Sequence, residues 1–209
     1  GQSHYYWVVD DFMITSAPAD DIRMESAYVS HNGTGEEYGR IPSNQTDQNM
    51  LIGAEVLNFG ANAQNNLELN ADFSGASPFA GYAALSLLAV DSTEFMEDLS
   101  VSLSLDEGLY SGTFVVTSDA DTSGGPEFTN NTLEREFEID NSRYSIDGIG
   151  VYTNPEPGTD MGTNSFTGGE DGFMMLAYYD VTEPLEVTGI EIILGPDASA
   201  DGELIVSLH

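Results

Sequence analysis

Apolar and polar residues alternate along much of this chain with the two-residue period of a half-buried β-strand. The alternation is cleanest at Leu67, Leu69, Ala71 and Phe73, and it returns at positions 99, 101, 103 and 105. Aromatic and β-branched residues are frequent in such stretches, as they are in strands. Asp, Asn and Gly fill the intervening segments, where they favour turns. The pattern therefore predicts an all-β protein.

The predicted strands fall into three groups. Residues 5–15 form the first, and a Pro-containing linker follows them. The second group comprises residues 22–30, 50–59, 67–73, 99–105, 109–117 and 133–139. Within it, positions 22, 24, 26 and 28 are expected on one face, and 50–59 is expected to pair with 67–73. The third group comprises 148–153, 173–181, 185–194 and 203–208. Strands at this spacing, separated by turns, indicate β-sandwiches.

One stretch fits a different structure. Residues 92–98 (STEFMED) offer Ser or Thr as an N-cap and acidic residues in a first turn, which favours a short helix. An acidic loop before the next strand explains the same residues equally well.

Four segments carry recognisable motifs: residues 7–14 (WVVDDFMI), 37–45, 56–60 and 119–132. The first resembles the closing strand of concanavalin-like jelly rolls, and the others resemble parts of the immunoglobulin-like domain that often follows. From residue 144 the chain looks like the opening half of another jelly roll. This arrangement resembles multidomain surface proteins that Bacteroidetes export by type IX secretion. The resemblance implies an N-terminal strand and linker (1–17), an immunoglobulin-like β-sandwich (18–140) and an incomplete jelly-roll β-sandwich (141–209).

The charge of the chain excludes some partners. It has 36 acidic and 4 basic residues, for a formal charge of −32, while its 40% hydrophobic content suffices for a core. Nucleic acid and anionic membrane surfaces would repel it, and no apolar stretch is long enough for membrane insertion. Salt or bound cations would relieve the self-repulsion. The acidity therefore fits a salt-rich or calcium-containing medium, or simply the solubility of a surface protein.

A calcium site is the chemical hypothesis with most support. Residues 118–125 (SDADTSGG) match the first half of a calcium loop, in which oxygen ligands alternate along the chain before a Gly. The candidate ligands are Asp119, Asp121, Ser123 and Glu127. Asn130 stands where such a loop ends in a bidentate Glu, so a complete EF-hand loop is not present. The alternative is a hairpin loop rich in turn-forming residues.

Asp10 and Asp11 form a second calcium candidate. In jelly rolls of the kind resembled, an acid on the last strand commonly helps to hold a structural calcium ion. Alternation turns one of the two side chains inward, and a buried carboxylate needs a partner. A cation would serve, and so would an ordinary hydrogen bond.

Catalytic residue sets are missing from the sequence. The chain has three His, at positions 4, 31 and 209, and no Cys or Lys, which leaves little for a triad or a zinc site. With this many acids, a close pair of carboxylates does not indicate a glycosidase. The adjacent aromatic residues at 5–7 and 178–179 would face opposite sides of a strand, so core packing explains them better than glycan stacking. We expect no enzymatic activity.

Together these features predict a secreted protein, extracellular or at the cell surface. Its predicted role is that of a non-catalytic structural or adhesive building block of a surface assembly or filament, stabilised by calcium. Residues 5–15 of one copy would complete the unfinished sandwich of another by strand exchange, although folding back within one chain would serve equally well. Partners would be other copies or neighbouring domains of the same surface protein. The alternative is an accessory glycan- or protein-binding module of a larger secreted enzyme or adhesin.

Overall fold

The computed structural model describes residues 16–30, 37–46, 49–102, 105–122, 128–146, 174–194 and 204–208. The strands of these ranges are β1 (Ile22–Ser30), β2 (Arg40–Pro42), β3 (Asn49–Asn58), β4 (Gln64–Ser74), β5 (Phe79–Leu88), β6 (Thr93–Ser102), β7 (Gly108–Thr117) and β8 (Thr132–Asp140). Ser43–Gln45 and Phe128–Asn131 form short 3₁₀ helices. No α-helix occurs in the described ranges, so the all-β prediction is confirmed.

The strands form two sheets with the order β1-β3-β6 and β2-β8-β7-β4-β5. Neighbours are antiparallel, except that β2 runs parallel to β8. The chain changes sheet at every connection except those from β4 to β5 and from β7 to β8. This order is that of immunoglobulin-like sandwiches: β1, β3 and β6 take the places of strands A, B and E, and β4, β7 and β8 those of C, F and G. The β-sandwich prediction is confirmed.

The core lies between the two sheets. Leu67, Leu69, Ala71 and Phe73 of β4 are all buried there, as their alternation predicted. The ring of Phe73 stacks on that of Phe79, with centroids 4.4 Å apart. Because these rings come from neighbouring strands of one sheet, they form a continuous apolar layer against the other sheet.

Tyr110, at the start of β7, ties the core to the turn before it. Its ring is fully buried and stacks on Phe137 at 5.0 Å. Its hydroxyl donates a hydrogen bond of 2.7 Å to the backbone oxygen of Asp106 and accepts one of 3.2 Å from the Ser77 N–H. A tyrosine near the start of strand F that bonds upstream backbone is the tyrosine corner of immunoglobulin-like sandwiches.

Register shifts correct two details of the predicted strands. The pairing of β1 with β3 shifts between Met24 and Ser26, and the next buried apolar residues are Ala27 and Val29. The prediction that positions 22 to 28 share one face is therefore wrong beyond Met24, because a bulge turns later side chains to the opposite face. The predicted pairing of 50–59 with 67–73 is also wrong, since β3 and β4 belong to different sheets.

The structure contradicts both interpretations of residues 92–98, because they belong mostly to strand β6. Thr93–Ser102 pairs with β3 along its length, so the stretch is neither a helix nor a loop. Its Ser, Thr and acidic residues favour a helix start only locally, and pairing along a whole strand outweighs that preference. A turn precedes it, with Asp91 at φ 56°.

The described residues beyond β8 form no strand. Residues 174–194 and 204–208 have strand-like sequences, yet no ladder pairs them with another part of the chain that the structure describes. The strands predicted within these two ranges are therefore not among the described pairings, and a strand needs a neighbour that pairs with its backbone. The division of the chain at residues 17 and 140, and the incomplete jelly roll, stay predictions. No helix of the described ranges has the length and hydrophobicity needed to cross a bilayer.

Candidate functional site

A cluster of buried polar side chains closes one end of the sandwich. Asp21 is 2% exposed, Asp121 is 4% exposed, and Asn131 is fully buried. Asp121 Oδ2 accepts hydrogen bonds from the Ile22 N–H (2.8 Å) and from Asn131 Nδ2 (3.0 Å). Asn130 Nδ2 donates to Asp21 Oδ1 at 3.1 Å. We call the four side chains of Asp21, Asp121, Asn130 and Asn131 the aspartate–asparagine cluster.

The turn after β7 aims Asp121 into this cluster. The Ser118 N–H donates to the backbone oxygen of Asp121 at 2.9 Å, and Ser118 Oγ accepts from the Asp121 N–H at 2.9 Å. The same hydroxyl donates to Oε1 of the buried Gln64 at 2.7 Å. Because every one of these groups is satisfied, the turn has a fixed shape and the Asp121 side chain a fixed direction.

The structure separates the predicted calcium ligands. Asp121 belongs to the cluster, whereas Asp119 is exposed and its Oδ2 accepts a 2.7 Å hydrogen bond from Asn66 Nδ2. Ser123 and Glu127, and likewise Asp10 and Asp11, lie outside the described residues. No group of three or more His, Cys, Asp or Glu that could hold a metal occurs in the described ranges. The predicted ligand set stays a prediction.

Sequence reasoning missed Asp21 and Asn131 altogether. Asp21 follows the linker and precedes β1, while its partner Asn130 stands 109 positions later. No local pattern joins residues so far apart, and only the fold brings them together. The one local signal was the Asp-rich stretch 118–125, which contains Asp121.

A second feature is the contact between residues 180–183 and the sandwich. Tyr38 is 1% exposed, and its hydroxyl accepts a 2.8 Å hydrogen bond from the Asp180 N–H. The Tyr144 hydroxyl donates to the Asp180 backbone oxygen at 2.8 Å. The ring of Tyr179 completes the contact, edge-on to Tyr144 at 5.2 Å and stacked on Tyr38 at 6.1 Å.

Gln45 extends the same contact with its side-chain amide. It is fully buried, and its Oε1 accepts from the N–H groups of Thr182 (3.0 Å) and Glu183 (3.3 Å). Its Nε2 donates to the Glu183 backbone oxygen at 2.9 Å. The amide therefore satisfies the backbone of this segment as a neighbouring strand would. We call the set Tyr38, Gln45 and Tyr144 the anchor.

Away from the anchor, the segments carry exposed apolar side chains. Leu176 is 83% exposed and Ile205 is 78% exposed, and the same holds to a lesser degree for Met174, Met175, Tyr178, Val181, Leu185, Val187, Ile190, Ile192, Ile193, Leu194, Leu204, Val206 and Leu208. We call residues 174–194 and 204–208 the apolar segments. Exposed apolar surface of this extent is typical of interaction sites.

Burial and neighbouring groups raise the pKa of two partly buried tyrosines, Tyr28 and Tyr144. Partial burial raises the pKa of Tyr28, and the hydrogen-bonded Glu97 carboxylate raises it further. Burial, Tyr38 and Asp180 likewise raise the pKa of Tyr144. Burial also raises the pKa of the Glu37 carboxyl, an effect that the Arg135 guanidinium opposes from 3.8 Å. These shifts have structural causes and do not converge on one cleft.

A shallow depression on β4 and β5 shows no catalytic arrangement. It is lined by Asn66, Leu67, Glu68, Ala84, Leu85 and Ser86, so a single carboxylate faces it. The pair of carboxylates that glycoside hydrolysis needs is not present in this depression. All three His residues lie outside the described ranges.

Comparisons with known proteins do not identify a family or a function for this chain. No protein-family model matches the chain, and no curated protein does. The chain is similar to a solved structure of the CARDB domain of a Pyrococcus furiosus protein in complex with di-metal ions. The two are 10% identical, the match covers 64% of this chain and 100% of that one, and the TM-score is 0.38. At this TM-score the likeness supports no conclusion, so the fold assignment stands on the strand order and the tyrosine corner.

Proposed function

We propose that this chain is a non-catalytic, secreted building block of an extracellular surface assembly or filament. In the assembly, residues 5–15 of one copy pair with the apolar segments of another. The observation that carries this proposal is the exposure of apolar side chains in residues 174–194 and 204–208, the first of which the anchor holds on the sandwich through residues 180–183.

Strand addition suits both partners. Outside residues 180–183, which the anchor holds, the apolar segments form no ladder within the described ranges, so an added strand could pair with them there. Residues 5–15 (YYWVVDDFMIT) are aromatic and β-branched and resemble a closing strand. In strand addition, main-chain hydrogen bonds supply affinity, and alternate side chains supply specificity.

The charge of the chain makes such an assembly dependent on cations. Each copy carries a formal charge of −32, so copies repel one another in water of low ionic strength. Salt shortens the range of this repulsion. Bound calcium would reduce the charge itself, with Asp119, Asp121, Ser123 and Glu127 or Asp10 and Asp11 as the ligands that the sequence suggests.

A peptide-binding experiment tests the strand exchange. The recipient is the full chain with Val9→Pro, because Pro removes a ladder N–H from the donor strand. We expect it to bind a fluorescent peptide of residues 5–15, read by anisotropy. A Val9→Ala peptide should also bind, since it keeps the N–H group, and a Val9→Pro peptide should not. Failure of the unsubstituted peptide to bind would contradict the proposal and leave an accessory binding module as the better account.

A further inference from the structure

We infer that the outer face of β4 and β5 around Tyr82 binds a sugar unit of an uncharged polysaccharide. We call Tyr82, Glu68, Asn70 and the shallow depression beside them the Tyr82 site. This inference goes beyond the proposed assembly and does not rest on it, since every residue of the site belongs to the sandwich of one copy.

Tyr82 presents an aromatic ring that its own strand leaves uncovered. It is 51% exposed. The residues of β5 that share its face are Ala80, Ala84 and Ser86, all of them exposed. Because these side chains are small, the ring stays accessible above the sheet. A tyrosine offers a flat apolar surface with a polar end, so the ring can stack against the C–H face of a sugar.

Two hydrogen bonds hold Tyr82 in place. Its hydroxyl donates to Glu68 Oε1 at 3.2 Å, which directs the ring toward the neighbouring strand β4. Its N–H donates to Asp98 Oδ2 of β6 at 2.9 Å, which fixes the backbone beneath the ring. A side chain that is already held loses less conformational freedom when a ligand binds. The ring is therefore prepared for a contact.

Strand β4 places hydrogen-bonding groups beside the ring. Asn70 is the register partner of Tyr82, and Glu68 is that of Ala84. Both side chains are exposed, and paired residues of neighbouring strands point to the same face. A carboxylate accepts hydrogen bonds, while an amide both donates and accepts them. The hydroxyl groups of a sugar can satisfy both kinds of partner.

The depression continues the site on the side of Glu68. Its volume is about 370 Å³, at the small end of the range of about 300–1,000 Å³ that is usual for ligand pockets. Apolar and polar side chains line it in equal number: Asn66, Leu67, Glu68, Ala84, Leu85 and Ser86. A sugar unit has the same division, with C–H groups on its faces and hydroxyl groups at its edge.

The charges around the site favour an uncharged ligand. Residues 73–90, which include all of β5, contain no charged side chain, although the whole chain has 36 acidic residues. The formal charge of −32 would repel a phosphate, a sulfate or an acidic sugar. A cation would be attracted to acidic side chains over the whole surface, whereas the apolar part of this lining suits the C–H groups of a neutral sugar.

The test is calorimetric titration of the full chain with a panel of uncharged hexasaccharides built from glucose, mannose, galactose or xylose, in α- and β-linked forms. We expect saturable binding of at least one of them. Tyr82→Ala should weaken this binding at least about tenfold, while Tyr82→Trp, which keeps a flat ring, should retain it. Phe95→Ala is the matched control, because Phe95 is an aromatic residue that is 62% exposed on the other sheet, and it should leave binding unchanged.

Three results would overturn the inference: no hexasaccharide of the panel binds, binding survives Tyr82→Ala, or Phe95→Ala weakens it as much. Titration with spermidine tests the cationic alternative, and Tyr82-dependent binding of spermidine without binding of any sugar would also overturn it. Thermal unfolding of each variant checks that it folds. The Val9→Pro chain, in which strand exchange is blocked, should bind the sugar unchanged, so failure of this site is distinguishable from failure of the assembly.

Discussion

The Tyr28 hydroxyl donates a 2.6 Å hydrogen bond to Glu97 Oε1 across the outer face of the three-stranded sheet. Tyr28 belongs to β1 and Glu97 to β6, and Gly53 of β3 lies between them in register. A Cβ atom at Gly53 would come within 2.5 Å of the Tyr28 hydroxyl oxygen. The missing side chain therefore lets one tyrosine bridge the two outer strands over the central one.

Because of this hydrogen bond, the stability of the folded protein should decrease at alkaline pH. Burial and the Glu97 carboxylate raise the pKa of Tyr28 in the folded protein, while in the unfolded chain it returns to about 10. Above about pH 10 the unfolded chain loses a proton that the folded protein keeps, so stability falls as pH rises. Urea unfolding should show a shallower fall for Tyr28→Phe than for the unsubstituted chain. Parallel curves would contradict this explanation.

Gly112 of β7 is the glycine whose replacement should damage the core most clearly. A Cβ atom there would overlap the ring of Phe73, which is held between Phe79 and Phe114 and cannot move aside. We expect Gly112→Ala to lower the free energy of unfolding by about 1–3 kcal/mol. Gly189 is the control, because a Cβ atom there meets nothing within 4 Å. Equal denaturation midpoints for the two variants would refute the packing described here.

The tyrosine corner should contribute measurably to stability. Tyr110→Phe keeps the ring on Phe137 but removes the partly buried hydroxyl that bonds the Asp106 backbone oxygen and the Ser77 N–H. The expected loss is about 1–2 kcal/mol in the free energy of unfolding. Tyr82→Phe removes a hydroxyl that bonds Glu68 on the exposed surface and should change stability little. If the two variants behave alike in urea, the corner is not a stabilising element.

Gln45 should control how firmly residues 182 and 183 stay on the sandwich. Gln45→Glu replaces the donor to the Glu183 backbone oxygen with a carboxylate that repels it. Amide hydrogen exchange at Thr182 and Glu183 should then accelerate, while exchange in β7 stays slow. Thr46→Val serves as the control, since the Thr46 hydroxyl donates to the nearby Ser43 oxygen and no described hydrogen bond joins it to residues 182 or 183. Unchanged exchange at both amides in Gln45→Glu would contradict the role of the anchor.

The sequence pattern predicted the structure best in strands that bury a single face. In β4 the buried residues alternate strictly, so the pattern alone located its inner face. The pattern failed in β1, because an extra residue between Met24 and Ser26 turns the later side chains to the opposite face of the sheet. The amino-acid composition of the strand does not indicate such a bulge. The pattern also failed in β6, whose capping-like residues describe local preference rather than pairing with β3.

The candidate site was less predictable than the fold. The stretch 118–125 drew attention to Asp119 and Asp121 together, yet the turn at Ser118 exposes the first and buries the second. Asp21 meets its Asn130 partner only after two sheets have packed. When distant segments of the chain form a site, its residues have no characteristic spacing in the sequence, so no motif identifies them.

Light scattering of the purified chain after size exclusion, in calcium-containing buffer, tests the proposed assembly most directly. We expect particles heavier than one copy, which dissociate to single copies in the Val9→Pro chain and persist in Val9→Ala. A chain that elutes as a single copy in calcium, with or without the Pro, would contradict the proposal that residues 5–15 join one copy to the next.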